Sequence, residues 1–445
     1  MSVNTNRNIS ALVHGTVLTM DGEWTCHDDG MVLADGDTIS AVGPYSAEPL
    51  KDIPAEQILD VRGCIVIPGL INTHTHIGMS LFRGLADDTA DRLRRIIFPL
   101  EKEFVTPELV YLASLHSLAE MILGGTTCFA DMYFFQNMTA KAVGESGIRA
   151  VVGQAVSRDP APDAPSADHA FDLIRQLALS LKGNPRLRAG IAPHAPYSLT
   201  REELEECSRL SEELELPLMS HLAEMPFEEG WVKEHHNMRP VQYYHSCGML
   251  NSRSTMAHCI FAGEEDQKLL VQSKTGIAHN PSANSKSGKG IAPAYDLLMK
   301  GGRVGLGTDG PMSGNTLDLV HQLNIAAKMQ KLIKRDPTVM NPRQTLRCAT
   351  MGGAEALHME HEIGSLEPGK KADITVFSTA SPAMYPLYDP YAALVYAAAP
   401  SDVYAVIVGG RLLMEDRKLL SLDDREIRKT SAEMVEHIRR EMTGK

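Results

Sequence analysis

The chain alternates between two kinds of hydrophobic patterning, and the change of pattern divides it. Residues 10 to 66 carry short apolar runs broken by turn residues, SALVHGTVLTM, GMVLADGDTISAVG and QILDVRGCIVIPG, with D-G and G-D pairs that predict hairpins. From about 67 to 370 short apolar runs are each followed by a longer stretch of helical period, as where TPELVYLASLHSLAEMILGG leads into TTCFADMYF. Eight such runs can be counted: CIVIPGLINTHTH, TTCFADMY, RAVVGQAV, RAGIAPHA, LPLMSHLAE, STMAHCIF, GIAHNPSA and VGLGTDG. Eight strand and helix units over some 300 residues predict an α/β fold, a (β/α)8 TIM-like barrel of parallel strands. After 370, KKADITVFS and VYAVIVGGRLL return to β character before a charged helix, DREIRKTSAEMVEHIRREM. Three regions are therefore expected: one half of a β-sandwich over 1–66, the barrel over 67–370, and the other half of the sandwich with a C-terminal helix over 371–445. The two outer segments join in one discontinuous sandwich.

Polar residues fall in a telling place. Run after run ends in a group able to bind metal or move protons: His74 and His76, His194, His221 with Glu224, His258, His279 and Asp309. In a (β/α)8 barrel the C-terminal strand ends open onto one mouth, so these would converge. His74 and His76, alternate residues of one strand, can point at one ion, although an isolated pair reads more readily as two exposed or hydrogen-bonded histidines near a turn. His221 adds a third nitrogen, and Glu224 at the same exit can carry protons, though alone it resembles a surface acid of the loop EMPFEE. Asp309, after the buried run VGLG, needs a cation or hydrogen-bond donors, unless it is simply a turn aspartate. Three histidines and one aspartate suit Zn2+ or another divalent first-row ion, with Fe2+ or Mn2+ as alternatives. No lysine ends TTCFADMY or RAGIAPHA, where a bridging ligand for a second metal would belong, so one ion is expected.

Composition narrows the partners. Of 445 residues, Lys and Arg number 43 against 56 Asp and Glu, a formal charge of −13 with no basic cluster, which argues against a nucleic-acid polymer. No stretch approaches the roughly 18 apolar residues of a membrane span, and MSVNTNRNISALVHG lacks the pattern of a leader. A cytoplasmic protein with a small-molecule substrate and no membrane partner is expected, as a homo-oligomer. Seven scattered cysteines without a CxxC pair predict reduced, mostly buried thiols.

In this order PGLINTHTH, LFRGLADD, GGTTCFADMYF, APHAPYS, SHLAE, AHC, HNPSANSK, LGTDG and GSLEPGKKADITVF resemble the amidohydrolase superfamily, specifically the cytosine/adenosine aminohydrolase branch with its methylthioadenosine and S-adenosylhomocysteine deaminases and triazine hydrolases. The resemblance implies that His74, His76, His221 and Asp309 are metal ligands, Glu224 the proton shuttle, and His258 the group that orients the nucleophilic water. It also implies that His194 contacts the substrate and that Glu101 holds ribose hydroxyls. Two departures concern substrate choice. Where the nucleoside deaminases carry a tryptophan, DDTADRLRRIIFPLE offers Arg92, and where they tend to have an arginine at the end of the third strand, VVGQAVS offers Gln154, with Arg158 nearby. Deamination of an adenosine-like nucleoside is the expected activity; another aminated heterocycle, of guanine, pterin or triazine type, is the alternative within the fold. A non-catalytic oligomeric scaffold is the alternative of another class, disfavoured by the complete ligand set.

Overall fold

The computed structural model describes residues 7–89 and 91–443. Eight parallel strands form the inner sheet: β1 Leu70–Thr75, β2 Thr126–Tyr133, β3 Arg149–Val156, β4 Leu187–Pro193, β5 Leu218–Leu222, β6 Ser254–His258, β7 Gly276–His279 and β8 Arg303–Leu306. Each pairs with its chain neighbour, so the order around the sheet is the order along the chain. β2 and β3 are buried at every position, as strands covered on one face by helices and filled on the other by side chains must be. Among the described residues the backbone ladder does not continue from β8 to β1. Side chains and one backbone bond close the gap: Asn72 Nδ2 donates to Thr308 Oγ1 at 2.8 Å, the Thr308 amide returns a bond to Asn72 Oδ1 at 3.1 Å, and the Asp309 amide donates to the His74 carbonyl at 3.0 Å.

The covering helices start where their sequences say they should. Thr106 accepts from the Leu109 amide before Pro107–Leu123, with proline at the first turn where its missing N–H costs nothing. Thr200 and Glu203 form a reciprocal capping box for Arg201–Glu213, whose Leu204, Cys207 and Leu210 face the core at helical spacing.

Outside the barrel lies one nine-stranded sheet drawn from both ends of the chain. Ala11–Leu18, Cys26–Asp35, Thr38–Pro44, Ile58–Asp60 and Cys64–Pro68 come from the N-terminal side; Ile374–Ser378, Val403–Val408, Arg411–Glu415 and Lys418–Leu419 come from the C-terminal side. The seam is the antiparallel pairing of Cys64–Pro68 with Ile374–Ser378. A buried bidentate ion pair ties this sheet to the barrel: Arg149 on β3 reaches Asp373 at 2.8 and 3.1 Å, and Asp373 Oδ1 also accepts the Gly409 amide at 2.8 Å.

The run CIVIPGLINTHTH does not make the single strand its apolar continuity predicts. It breaks at Gly69 into Cys64–Pro68 of the outer sheet and β1 of the barrel. A Cβ on Gly69 would stand 1.9 Å from Thr127 Oγ1, so only glycine lets the chain cross between the sheets here. The helix Asp424–Thr443 packs against Pro107–Leu123. No helix among the described residues is long and apolar enough to cross a membrane. All seven cysteines are free thiols, and all but Cys26 are buried.

Candidate active site

The exits of β1, β5, β6 and β8 bring together the histidines and the aspartate singled out in the sequence. Anchors on the Nδ1 side aim three of the rings. His76 Nδ1 bonds the carbonyl of Met132, His221 Nδ1 the carbonyl of His194 at 2.7 Å, and His258 Nδ1 the Asn284 side-chain oxygen at 2.8 Å. Their Nε2 atoms are left to face one centre. His76 Nε2 stands 3.2 Å from His221 Nε2 and 3.3 Å from Asp309 Oδ1. His74 Nε2 lies 3.8 Å from the same oxygen, and His258 Nε2 lies 4.0 Å from Asp309 Oδ2. His258 and Asp309 reach these positions with left-handed backbones, φ 74° and 60°, conformations that cost non-glycine residues of order 1–3 kcal/mol and persist where the surroundings enforce them.

A divalent ion fits this arrangement on the structure's own terms. The Nε2 atoms of His74 and His258 are buried without a hydrogen-bond partner, a costly state for polar atoms unless an ion or a bound molecule meets them. The sets His74, His221, His258 and His74, His76, Asp309 each place their ligand atoms within 4.8 Å of one another. Burial holds His74 and His221 well below the usual histidine range, keeping their lone pairs free. Burial works against ionisation of Asp309, but the bond from His76 and the field of His258 outweigh it and keep the carboxylate charged. The nitrogen and oxygen donor set is that of a divalent-metal site.

Glu224 stands beside this centre, its Oε1 3.6 Å from His258 Nε2, and accepts from Lys289 Nζ. Burial raises its pKa, yet His258 and Lys289 bring it down to about 2. The turn that presents it is held from beneath. Glu228 Oε1 accepts the amide of Ala223 at 2.7 Å, and its Oε2 accepts that of Glu224 at 2.9 Å, while Ala223 adopts φ 50°. Glu228, Lys289 and Asn284 carry no assignment from the sequence: Glu228 reads there as one acid of a surface loop, Lys289 as a loop charge in SGKG, and Asn284 as a residue of HNPSANSK without a role.

Above the centre opens a cavity of about 830 Å³, within the range of small-molecule sites. Its lining includes His76, His221, Glu224, His258 and Asp309 at the floor and Glu101, Tyr133, His194 and Arg92 on the walls. Glu101 belongs to the helix Phe98–Phe104 and is buried. Burial pushes its carboxyl up to about 7 against the lowering effect of Tyr133 and His76. The His194 ring, brought down to about 4 by burial, is neutral and packs edge-on against Phe98 and Tyr197. Gln154 does not line the cavity: its amide turns to Asp163 at 2.9 Å, an acid that also accepts the Phe135 amide at 2.6 Å. Arg158 is exposed and outside the lining. His279 lies deeper, fully buried below His258.

Comparison with known proteins agrees with this geometry. A 5-methylthioadenosine/S-adenosylhomocysteine deaminase of Syntrophobacter fumaroxidans is 41% identical over 94% of this chain and 95% of its own. One of Nitratidesulfovibrio vulgaris is 40% identical over 92% of each. Among solved structures, an adenosine deaminase from Xanthomonas campestris with bound zinc is 30% identical, with a TM-score of 0.94 over 96% of this chain and 98% of its own. An atrazine chlorohydrolase of Arthrobacter aurescens, 23% identical with a TM-score of 0.88 over 96% of this chain and 99% of its own, shares the fold. Residues 65–413 match the model of the amidohydrolase family, and the chain belongs to that family.

Proposed function

We propose that this enzyme hydrolytically deaminates an adenosine-like nucleoside, such as 5′-methylthioadenosine or S-adenosylhomocysteine, releasing ammonia with Zn2+ as its metal. The observation that carries the reading is the placement of Glu224 3.6 Å from His258 at the floor of a cavity that has Glu101 on its wall. A proton carrier, a histidine and a His/Asp metal set thus meet beneath a carboxylate able to accept ribose hydroxyls. The names of the relatives from Syntrophobacter and Nitratidesulfovibrio, and the zinc in the Xanthomonas structure, support it.

His74, His76, His221 and Asp309 hold the ion, which when bound lowers the pKa of a coordinated water from about 15.7 to roughly 7. The chain then manages two protons. One passes from the attacking water through Glu224 to the ring nitrogen next to the amino-bearing carbon, and the other through Asp309 to the departing amine. Hydrogen bonding from His258 to the adding oxygen stabilises charge that develops there. Lys289 orients the Glu224 carboxylate, and Glu101 fixes the sugar so that the base faces these groups. Ammonia release measured across adenosine derivatives, guanine, pterins, cytosines and triazines tests the proposal. Turnover of the adenosine series is expected; failure on all of it, with turnover of a free base, would overturn it.

A further inference from the structure

Among the described residues four cations line the active-site cavity: Arg92, Arg94, Lys286 and Lys289. Three of them are committed. Arg92 and Lys286 pair with Asp87 at 2.6 and 2.8 Å, and Lys289 pairs with Glu224. Arg94 is different: among the described residues its guanidinium has no carboxylate and no hydrogen-bond acceptor, and its Cζ lies 4.1 Å from the centroid of the Phe227 ring. That ring is itself 42% exposed at the cavity mouth, braced edge-on by Tyr197 at 5.3 Å. A guanidinium held over an aromatic face by cation–π attraction uses none of its N–H donors there, and its planar fork can recognise a planar anion in two-point fashion. The stack also removes rotamer freedom before a ligand arrives, which lowers the entropic cost of binding.

We infer that Arg94 is the specificity-determining residue for the tail of the substrate and that it binds the carboxylate of an amino-acid group carried on the nucleoside. The inference rests on the adenosine-deaminase reading of the same site. An amino-acid tail is favoured over a phosphate by the other charges of the lining. Asp88 and Asp91 face the same cavity, and no described cation pairs with either. Two free carboxylates beside one free guanidinium complement a zwitterion, whose ammonium they accept, and repel a dianion. Gln154, at the end of β3, is turned away to Asp163 and leaves the anion-binding task to this other segment.

The test compares wild type, Arg94→Gln and Arg94→Lys on four adenosine derivatives: 5′-methylthioadenosine, S-adenosylhomocysteine, its carboxamide and adenosine 5′-monophosphate. Loss of one charged hydrogen-bonding partner corresponds to about 10- to 100-fold in kcat/KM. That loss is expected in Arg94→Gln for S-adenosylhomocysteine alone, with 5′-methylthioadenosine and the carboxamide changed less than about twofold and Arg94→Lys retaining some of the preference. The nucleotide is expected to be a poor substrate of wild type. Parallel losses on charged and neutral tails would make Arg94 only a brace for Phe227 and overturn the inference, as would no loss at all. A wild type that prefers the nucleotide would overturn the amino-acid assignment. If wild type deaminates 5′-methylthioadenosine but not S-adenosylhomocysteine, the role of Arg94 falls while deamination stands; a wild type inert on every adenosine derivative removes both.

Discussion

Glu228 holds Glu224 by its backbone: one carboxylate oxygen accepts the Glu224 amide at 2.9 Å while the other accepts the Ala223 amide at 2.7 Å. Both oxygens are needed as acceptors. In Glu228→Gln one of them becomes an NH2 that confronts a backbone N–H, leaving a buried donor unpaired. The turn would relax and Glu224 would shift away from His258. Residues that orient a metal site from behind typically cost 10- to 100-fold when changed. We expect a loss of about that size in kcat, with KM and bound metal nearly unchanged. Loss of metal in parallel with kcat would show instead that the whole strand end had collapsed.

Removal of a proposed metal ligand has a different signature. His221→Ala leaves His74 Nε2, Asp309 and His76 without their third nitrogen, and the cluster of buried, partly unpaired donors has nothing to neutralise it. Elemental analysis is expected to find under about a tenth of an equivalent of divalent metal, and the activity loss should exceed the roughly 10- to 100-fold expected of an outer residue. A variant that retained full metal content would mean that His258, which already lies in a ligand set with His74 and His221, substitutes for it.

Barrel closure supplies a stability test remote from catalysis. Asn72 and Thr308 exchange two buried hydrogen bonds where β1 and β8 meet. Asn72→Leu strands the Thr308 amide, an unsatisfied group costing about 1–3 kcal/mol, while the Thr308 hydroxyl keeps its bond to the Asp309 carbonyl at 3.1 Å. Denaturant unfolding should register the loss as a lowered midpoint, and the double variant Asn72→Leu/Thr308→Val should lose less than the sum of the two single changes, because the two residues share these bonds. Strictly additive losses would contradict this account.

How much of the molecule is legible in its sequence depends on how far apart the partners lie. His74, His76, His221 and Asp309 stand out because each follows its own apolar run, and strand period with barrel order converts that into convergence. The turn at Gly69 is hidden because its cause, Thr127, lies on another strand. Glu228 escapes for a related reason. Its acidic neighbourhood describes a solvated loop, and only the burial of its side chain against the turn reveals two backbone amides as its partners. Lys289 is 65 residues from Glu224, with no local pattern to link them. Glu101, by contrast, is placed by resemblance alone; its burial beside Tyr133 is what the structure adds.

The pH dependence follows from Glu101. Its folded pKa of about 7 lies above the ordinary 4.5, so the folded chain holds this proton more tightly than the unfolded chain. The associated stability is complete below pH 4.5 and is lost progressively as pH rises to about 7, by at most about 3 kcal/mol. Catalysis should run the other way, because ribose hydroxyls donate better to the ionised carboxylate. We expect kcat/KM for a nucleoside to rise as pH climbs through about 7, and Glu101→Gln to flatten that limb while gaining relative stability at pH 8. An unchanged profile in Glu101→Gln would remove Glu101 from the sugar site.

Asp87 fastens the segment between β1 and Glu101 to its neighbours. Asp87 bonds Arg92 at 2.6 Å, Lys286 at 2.8 Å and Asn315 at 2.6 Å, which joins the loops that follow β1, β7 and β8 over the cavity. Asp87 and Lys286 keep 26% and 25% of their side chains in solvent, so water screens these pairs and each contributes under about 1 kcal/mol to global stability. Their effect is local order in the segment that carries Arg94 and leads into Glu101. Asp87→Ala should therefore leave the unfolding midpoint almost unmoved, raise KM about tenfold and speed proteolytic cleavage within 83–97. Cleavage at the wild-type rate, or a fall in kcat without a change in KM, would show that the substrate itself and not Asp87 orders this wall.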